Sequence, residues 1–260
     1  MAVPLSGCLW RQAGSLDATA TGSVKAAGQA STLAQRYQSD PGNKDLALAY
    51  AAELRRDGND EQATAVLGTA AERFPSDRAV LGAYGKALAA TGSLDEALTV
   101  IRRAQAGGSP DWRLLSAEGA ILDQQGKNTA ARKLYEQALQ LSPNEPSVLS
   151  NLGMSYVMTG SLAEAEKTLR RAVAAPGADS RARQNLALVV GLQGRFDEAE
   201  RIAGAELSPE QAAANVAYLK SMLSQPNSWD NLRSPSAKPA PPRSRTATGA
   251  PAANSVGKGA

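Results

Sequence analysis

The sequence predicts an all-α solenoid, a helix–turn–helix unit stacked five times. Three observations lead there. Small residues recur every 34 residues without one insertion. Alanine dominates the middle of the chain, while aromatics make up only 4% of it. Alanine is the strongest helix former and forces no particular tertiary contact, so such a chain fills thin helix-on-helix layers and cannot fill a thick core. No run of roughly 18 or more apolar residues is present, so no membrane-spanning helix is written here.

The period is seen in four ladders. Glycines fall at Gly58, Gly92, Gly126, Gly160 and Gly194, and alanines at Ala63, Ala97, Ala131, Ala165 and Ala199. A third ladder of small residues runs Ala51, Gly85, Gly119, Gly153 and Ala187. The fourth, Ala70, Ala104, Ala138 and Ala172, breaks at Glu206.

Taken in chain order, residues 1–28 hold the only cysteine, Cys8, followed by an Ala/Gly/Ser/Thr-rich stretch that reads as a flexible tether. Residues 29–43 form an N-terminal half-repeat: Gln29 to Tyr37 reads as a lone second helix, because Pro41 stands one period before Pro75. The five repeats span 44–213, as 44–77, 78–111, 112–145, 146–179 and 180–213. In each, a first helix (A) ends at the ladder glycine, where a left-handed residue suits a tight turn. Ser93-Leu94-Asp95-Glu96 and Ser161-Leu162-Ala163-Glu164 have capping-box spacing and open the second helix (B), which assigns Glu96 and Glu164 to helix caps.

Within a repeat, the small residue of helix A and the alanine of helix B are expected to face each other. A larger side chain there would overpack the contact by about 1–3 kcal/mol. Leu54, Leu88, Leu122, Tyr156 and Val190 fill the next layer of helix A; Leu67, Ile101, Tyr135 and Leu169 fill that of helix B. Pro75 and Pro143 end B helices. A C-terminal capping helix follows at 208–224, opened by Ser208-Pro209-Glu210-Gln211, with Ala212, Val216, Leu219 and Leu223 on its inner face. A terminal helix of this kind is expected to carry a polar outer face. Residues 225–260 are Pro-rich, and after Asp230 only basic charges appear, so they read as a disordered basic tail.

Residue by residue, the unit Pro146 to Asp179, with Leu149, Leu152-Gly153, Tyr156, Gly160, Ala165, Leu169 and Ala172, resembles the tetratricopeptide (TPR) repeat, whose period is 34 residues. The resemblance implies a right-handed superhelix with a concave binding face. Leu5-Ser6-Gly7-Cys8 resembles a bacterial lipoprotein box, which implies a lipid on Cys8. Met1 to Gly7 holds neither a basic n-region nor an apolar stretch of roughly 7–15 residues. Two readings are therefore open: a signal upstream of this start, or an incidental thiol. The whole layout, lipobox-like start, five repeats, last cap and basic tail, resembles the TadD-type lipoproteins of Flp (tight-adherence) pilus assembly. That resemblance implies a periplasm-facing outer-membrane lipoprotein that helps a secretin pore localise or assemble. The alternative is a cytoplasmic TPR adaptor or peptide-binding chaperone.

The family's groove positions are the second, fifth, sixth and ninth of helix A. Carried over, they name Arg113 and Arg181 (second), Ser116, Ser150 and Gln184 (fifth), Asn151 and Asn185 (sixth), and Lys86 and Met154 (ninth). An asparagine amide can pair with a peptide backbone, and arginine or lysine can hold a carboxylate. The family's carboxylate clamp is incomplete here, since the first two repeats offer mostly alanine. Trp112, next to Arg113, is either a hot spot or a packing residue between repeats.

The chain has no histidine. This excludes the usual general base, the usual zinc ligand and the Ser-His triad. Lys86 and Lys127 follow glycines but lack the rest of a phosphate-binding loop. No catalytic residue, metal or cofactor is expected. Net charge is only +3, and no nucleic-acid-sized basic patch stands out in the repeats. Expected partners are proteins, with membrane contact only through a lipid on Cys8.

Overall fold

Asparagine and acidic residues one period apart start the fold. Asn43, Asp77, Asp111, Glu145 and Asp179 each precede a helix, and each side chain accepts a backbone N–H from the helix's first turn. These carboxylates and amides also complement the positive end of each helix. The computed structural model describes residues 32–106 and 108–224 and shows twelve helices among them, with no strand. They are α1 (32–39), α2 (Lys44–Arg56), α3 (Asp60–Arg73), α4 (Arg78–Ala90), α5 (Leu94–Gln105), α6 (Trp112–Gln124), α7 (Asn128–Leu141), α8 (Pro146–Met158), α9 (Leu162–Ala174), α10 (Ser180–Leu192), α11 (Phe196–Ala203) and α12 (Pro209–Ser224).

The A helices are α2, α4, α6, α8 and α10, and the B helices are α3, α5, α7, α9 and α11. Each A helix packs on its own B helix, those from α4 onward pack also on the B helix before, and successive A helices touch. The A helices therefore form the inner layer of a right-handed superhelix. After each A helix the chain reverses at the ladder glycine, with φ between 74° at Gly160 and 85° at Gly92. Only glycine takes that region without steric cost.

The core is one continuous cluster from Ala47 in α2 to Leu152 in α8, followed by smaller clusters toward the C-terminal end. Leu67, Ile101, Tyr135 and Leu169 are fully buried, as are Ala63, Ala97, Ala131 and Ala165. Tyr156 is half-buried, with the Arg132 guanidinium 5.1 Å from its ring centroid.

Four expectations need correction. Ser93 and Ser161 do stand at the helix starts, but neither side chain caps the helix. Their ψ values, 60° and 63°, are not extended, so the turn is closed by backbone bonds, with Ser93 N–H donating to Leu88 and Ser161 N–H to Tyr156. Glu96 instead accepts a hydrogen bond from the Tyr84 hydroxyl at 3.2 Å, and Glu164 lies beside a cleft described below. Among the described residues, the reciprocal capping box forms only at α12, where Ser208 and Gln211 bond each other's backbone N–H.

Second, the helix A glycines face the large residue of helix B, not its alanine. A Cβ at Gly85 would lie 2.6 Å from Ile101, at Gly119 2.7 Å from Tyr135, and at Gly153 2.6 Å from Leu169. The alanine lies one turn away, and Ala97 offers only its carbonyl, at 3.2 Å from the Gly85 Cβ. Third, the outer face of α12 is not purely polar: Tyr218 and Met222 are exposed there, while Ala212, Val216 and Leu219 are buried as expected. Fourth, the first helix, described over 32–39, runs two residues beyond the expected end at Tyr37; residues 29–31 lie outside the described residues. So do Cys8, the tether and the tail.

Candidate functional site: the concave face

The A helices line the inner face, and their exposed positions divide it in two. Toward the N-terminal end the floor is alanine, with Ala49, Ala52 and Ala90 exposed and Ala83 and Ala120 half-buried. Three cations stand over it: Arg55, Lys86 and Arg113, all exposed. Arg55 has Asp60 at 3.6 Å. The Arg113 guanidinium lies 4.4 Å over the ring of Trp112, which packs partly into the core. Lys86 is in no ion pair among the described residues. Its pKa is lowered, first by desolvation within the curved face and next by the charge of Arg55; Asp111 opposes this and Arg113 adds to it.

Toward the C-terminal end the same face is apolar and amide-bearing. Met154, Val157, Met158 and Leu188 are half-buried there, with Asn151, Gln184 and Asn185. Three of the expected residues form a line across successive A helices. Asn151 donates to the Ser116 hydroxyl at 3.1 Å and accepts from Arg181 at 3.4 Å. Gln184 donates to Ser180 at 3.1 Å. Asn185 makes no side-chain hydrogen bond among the described residues.

The fifth positions differ from the expectation. Ser116 is buried and meets the groove only through Asn151. Ser150 is buried with no partner for its hydroxyl, so it lies among packing side chains and not in the groove. Sequence reading also missed Arg55. It sits one turn beyond the ninth position, and only the curvature of the stack brings it near Lys86.

What this face can do chemically is hold an extended chain: cations for carboxylates at one end, amides for backbone groups and apolar side chains at the other. Among the described residues no cluster of three His, Cys, Asp or Glu side chains could hold a metal, and no helix is long and apolar enough to cross a membrane.

Three family profiles, each described as tetratricopeptide repeat, match residues 48–111, 124–189 and 180–205. This chain belongs to the tetratricopeptide-repeat family. A comparison with curated proteins finds no match. Among solved TPR-like structures, a thermophilic TPR protein from Thermus thermophilus superposes with a TM-score of 0.61 at 18% identity, over 69% of this chain and 100% of that one. PilW, described as a widely conserved type IV pilus biogenesis factor, superposes with a TM-score of 0.55 at 16% identity, over 81% of this chain and 92% of its own. An APC/C hetero-tetramer superposes with a TM-score of 0.59 at 18% identity over 76% of this chain, and this chain spans 40% of that one. At these identities the likeness is one of fold, and the TPR solenoid is what they share.

Proposed function

We propose that this TPR solenoid is a lipoprotein scaffold for Flp pilus assembly, anchored through Cys8 to the outer membrane and facing the periplasm. There it helps a secretin localise or assemble by gripping an extended segment of its partner. The observation that carries the scaffold reading is the line Ser116–Asn151–Arg181 across three A helices, continued by Lys86 and Arg113. It presents amides and cations along one track, which is what an extended protein segment with acidic side chains requires. The pilus reading is supported by the lipobox-like Leu5-Ser6-Gly7-Cys8 and by the TadD-like layout. It is also supported by a fold shared with PilW over most of both chains.

The test has two arms. Expressed with its native upstream region, the protein should take up labelled fatty acid and fractionate with the outer membrane, and Cys8→Ser should abolish both. From envelope extract it should then capture the secretin. A wild type that stays soluble and unlabelled, with no secretin captured, would leave the cytoplasmic adaptor as the reading.

A further inference from the structure

The convex face holds a cleft of about 340 Å³ between α7 and α9, floored by α8. Leu139, Leu152 and Tyr156 line its bottom; Glu136 and Gln140 form one wall and Glu164, Lys167, Thr168 and Arg171 the other. The repeat supplies an internal comparison, because the same slot occurs between every pair of B helices.

In the other slots the chain fills the space itself. Between α3 and α5, one period earlier twice over, Tyr84 lies over Gly68, 3.5 Å from where its Cβ would be, and bonds Glu96. Between α5 and α7, Arg102 pairs with Glu118 at 2.8 Å, and Gln105 donates to the same carboxylate at 2.7 Å. Between α9 and α11, Arg170 reaches across to Glu198 at 2.7 Å. The period places Glu136 where Arg102 and Arg170 stand, and Glu164 where Glu198 stands. So the slot between α7 and α9 keeps one carboxylate, Glu164, and has a second, Glu136, in place of the arginine.

A second observation agrees. Thr168 occupies the ladder position held by Val66, Val100, Leu134 and Ile202. It is 6% exposed, lines the cleft, and its hydroxyl makes no hydrogen bond among the described residues. Unlike the enclosed Ser150 hydroxyl, that of Thr168 is not sealed off from the surface, so it opens into the cleft as an acceptor. Lys167 and Arg171 share the α9 wall but pair with neither Glu136 nor Glu164.

We propose that this cleft is a docking site for an arginine side chain presented by a protein partner. The guanidinium sits between Glu136 and Glu164, as Arg170 sits against Glu198. Its methylenes lie on Leu139 and Leu152, and its plane stacks on the face of Tyr156 turned away from Arg132. The Thr168 hydroxyl accepts one of its N–H groups. This site is separate from the concave face and stands whether or not the pilus reading does.

The test titrates the isotope-labelled full chain with a capped peptide carrying one central arginine among alanines and glycines. Matched peptides carry citrulline, its uncharged isostere, or glutamate. Chemical shifts should move around Glu136, Leu139, Tyr156 and Glu164, and citrulline should bind about tenfold more weakly, since hydrogen bonds to charged groups are the stronger ones. Glu136→Arg copies the neighbouring slots; it should abolish these shifts and melt no lower than the wild type. Equal binding of the citrulline or glutamate peptide, shifts scattered elsewhere, or undiminished binding to Glu136→Arg would overturn the proposal. So would several-fold tighter binding by a full chain with Arg233→Ala, Arg243→Ala and Arg245→Ala combined, because the occupant would then be the chain's own tail.

Discussion

Tyr135 of α7 donates its hydroxyl to Oδ2 of Asp123 in α6 at 2.9 Å, with both side chains buried. The other carboxylate oxygen receives Asn128 at 2.8 Å and Ser155 of α8 at 2.8 Å. One buried acid thus ties three helices of two repeats. Burial raises its pKa, and the three donors pull it back.

Tyr135→Phe should therefore cost about 1–3 kcal/mol, because it leaves a buried charged group one donor short. The Asp123 pKa should rise further. Urea unfolding gives the first quantity and side-chain NMR titration the second. A loss of stability with no change in the Asp123 titration would mean that the phenol acts by packing alone.

Acid sensitivity should come from another place. Glu166 of α9 accepts from Arg195, Gln193 and Arg170, and its pKa falls from 4.5 to about 2, chiefly through the Arg195 hydrogen bond. A carboxylate with a depressed folded-state pKa stabilises the fold above its unfolded value, and that contribution is lost as pH falls from about 4.5 toward 2. Asp123 runs the opposite way: its raised pKa favours the protonated form, so its contribution declines as pH rises through its folded value. Glu166→Gln should flatten the acid limb of the stability profile, and added salt should do so in part. An unchanged limb would assign it to other carboxylates.

The two sets of glycines should respond differently to alanine. Gly153→Ala puts a methyl 2.6 Å from Leu169 Cγ, which overpacks a buried contact at about 1–3 kcal/mol. Gly160→Ala meets open space but keeps φ at 74°, at about 1–2 kcal/mol of backbone strain. A second change, Leu169→Val, should partly rescue Gly153→Ala and leave Gly160→Ala unaided. Thermal melts of the four proteins decide this, and equal rescue of both would refute it.

On the concave face, Arg181→Ala should weaken partner binding more than Asn151→Ala or Asn185→Ala. A bond to a charged group contributes about 1.5–3 kcal/mol and one between neutral groups about 0.5–1.5. The Arg181 effect should shrink with salt. Since Asn151 already bonds Ser116 and Arg181, its loss also frees the guanidinium, whereas the Asn185 loss is simple. Equal affinity in all three would move the binding surface elsewhere, to the convex cleft first.

The glycine and alanine ladders were legible in the sequence because backbone geometry selects one or two residue types. A left-handed turn admits glycine, and a fully enclosed wall admits alanine. The cap ladder from Asn43 to Asp179 has the same period yet is easily overlooked, since asparagine, aspartate and glutamate can all accept a helix N–H. Ser93 and Ser161 misled for the opposite reason: their spacing suits a capping box, but the glycine turn before them sets a ψ that points the hydroxyl away. Register put Asn151 and Arg181 on successive A helices, where they bond at 3.4 Å, but it could not tell that Ser116 and Ser150 are buried. The convex cleft could not be placed by register. It exists because Glu136, Leu152 and Thr168, each unremarkable alone, coincide in one slot, and only packing across three helices brings them together.

The division of the core into smaller clusters toward its C-terminal end has a mechanical consequence. Each helix is held only by its neighbours along the stack, so a pull between the two ends passes through every interface in series, and the weakest yields first. In the last repeat, α11 has 8 residues where the other B helices have 12 to 14, and the alanine ladder is broken by Glu206, which pairs with Arg183. A scaffold stretched between an anchor and a moving partner would give way there, opening like a spring from its C-terminal turn while the middle repeats keep their grip.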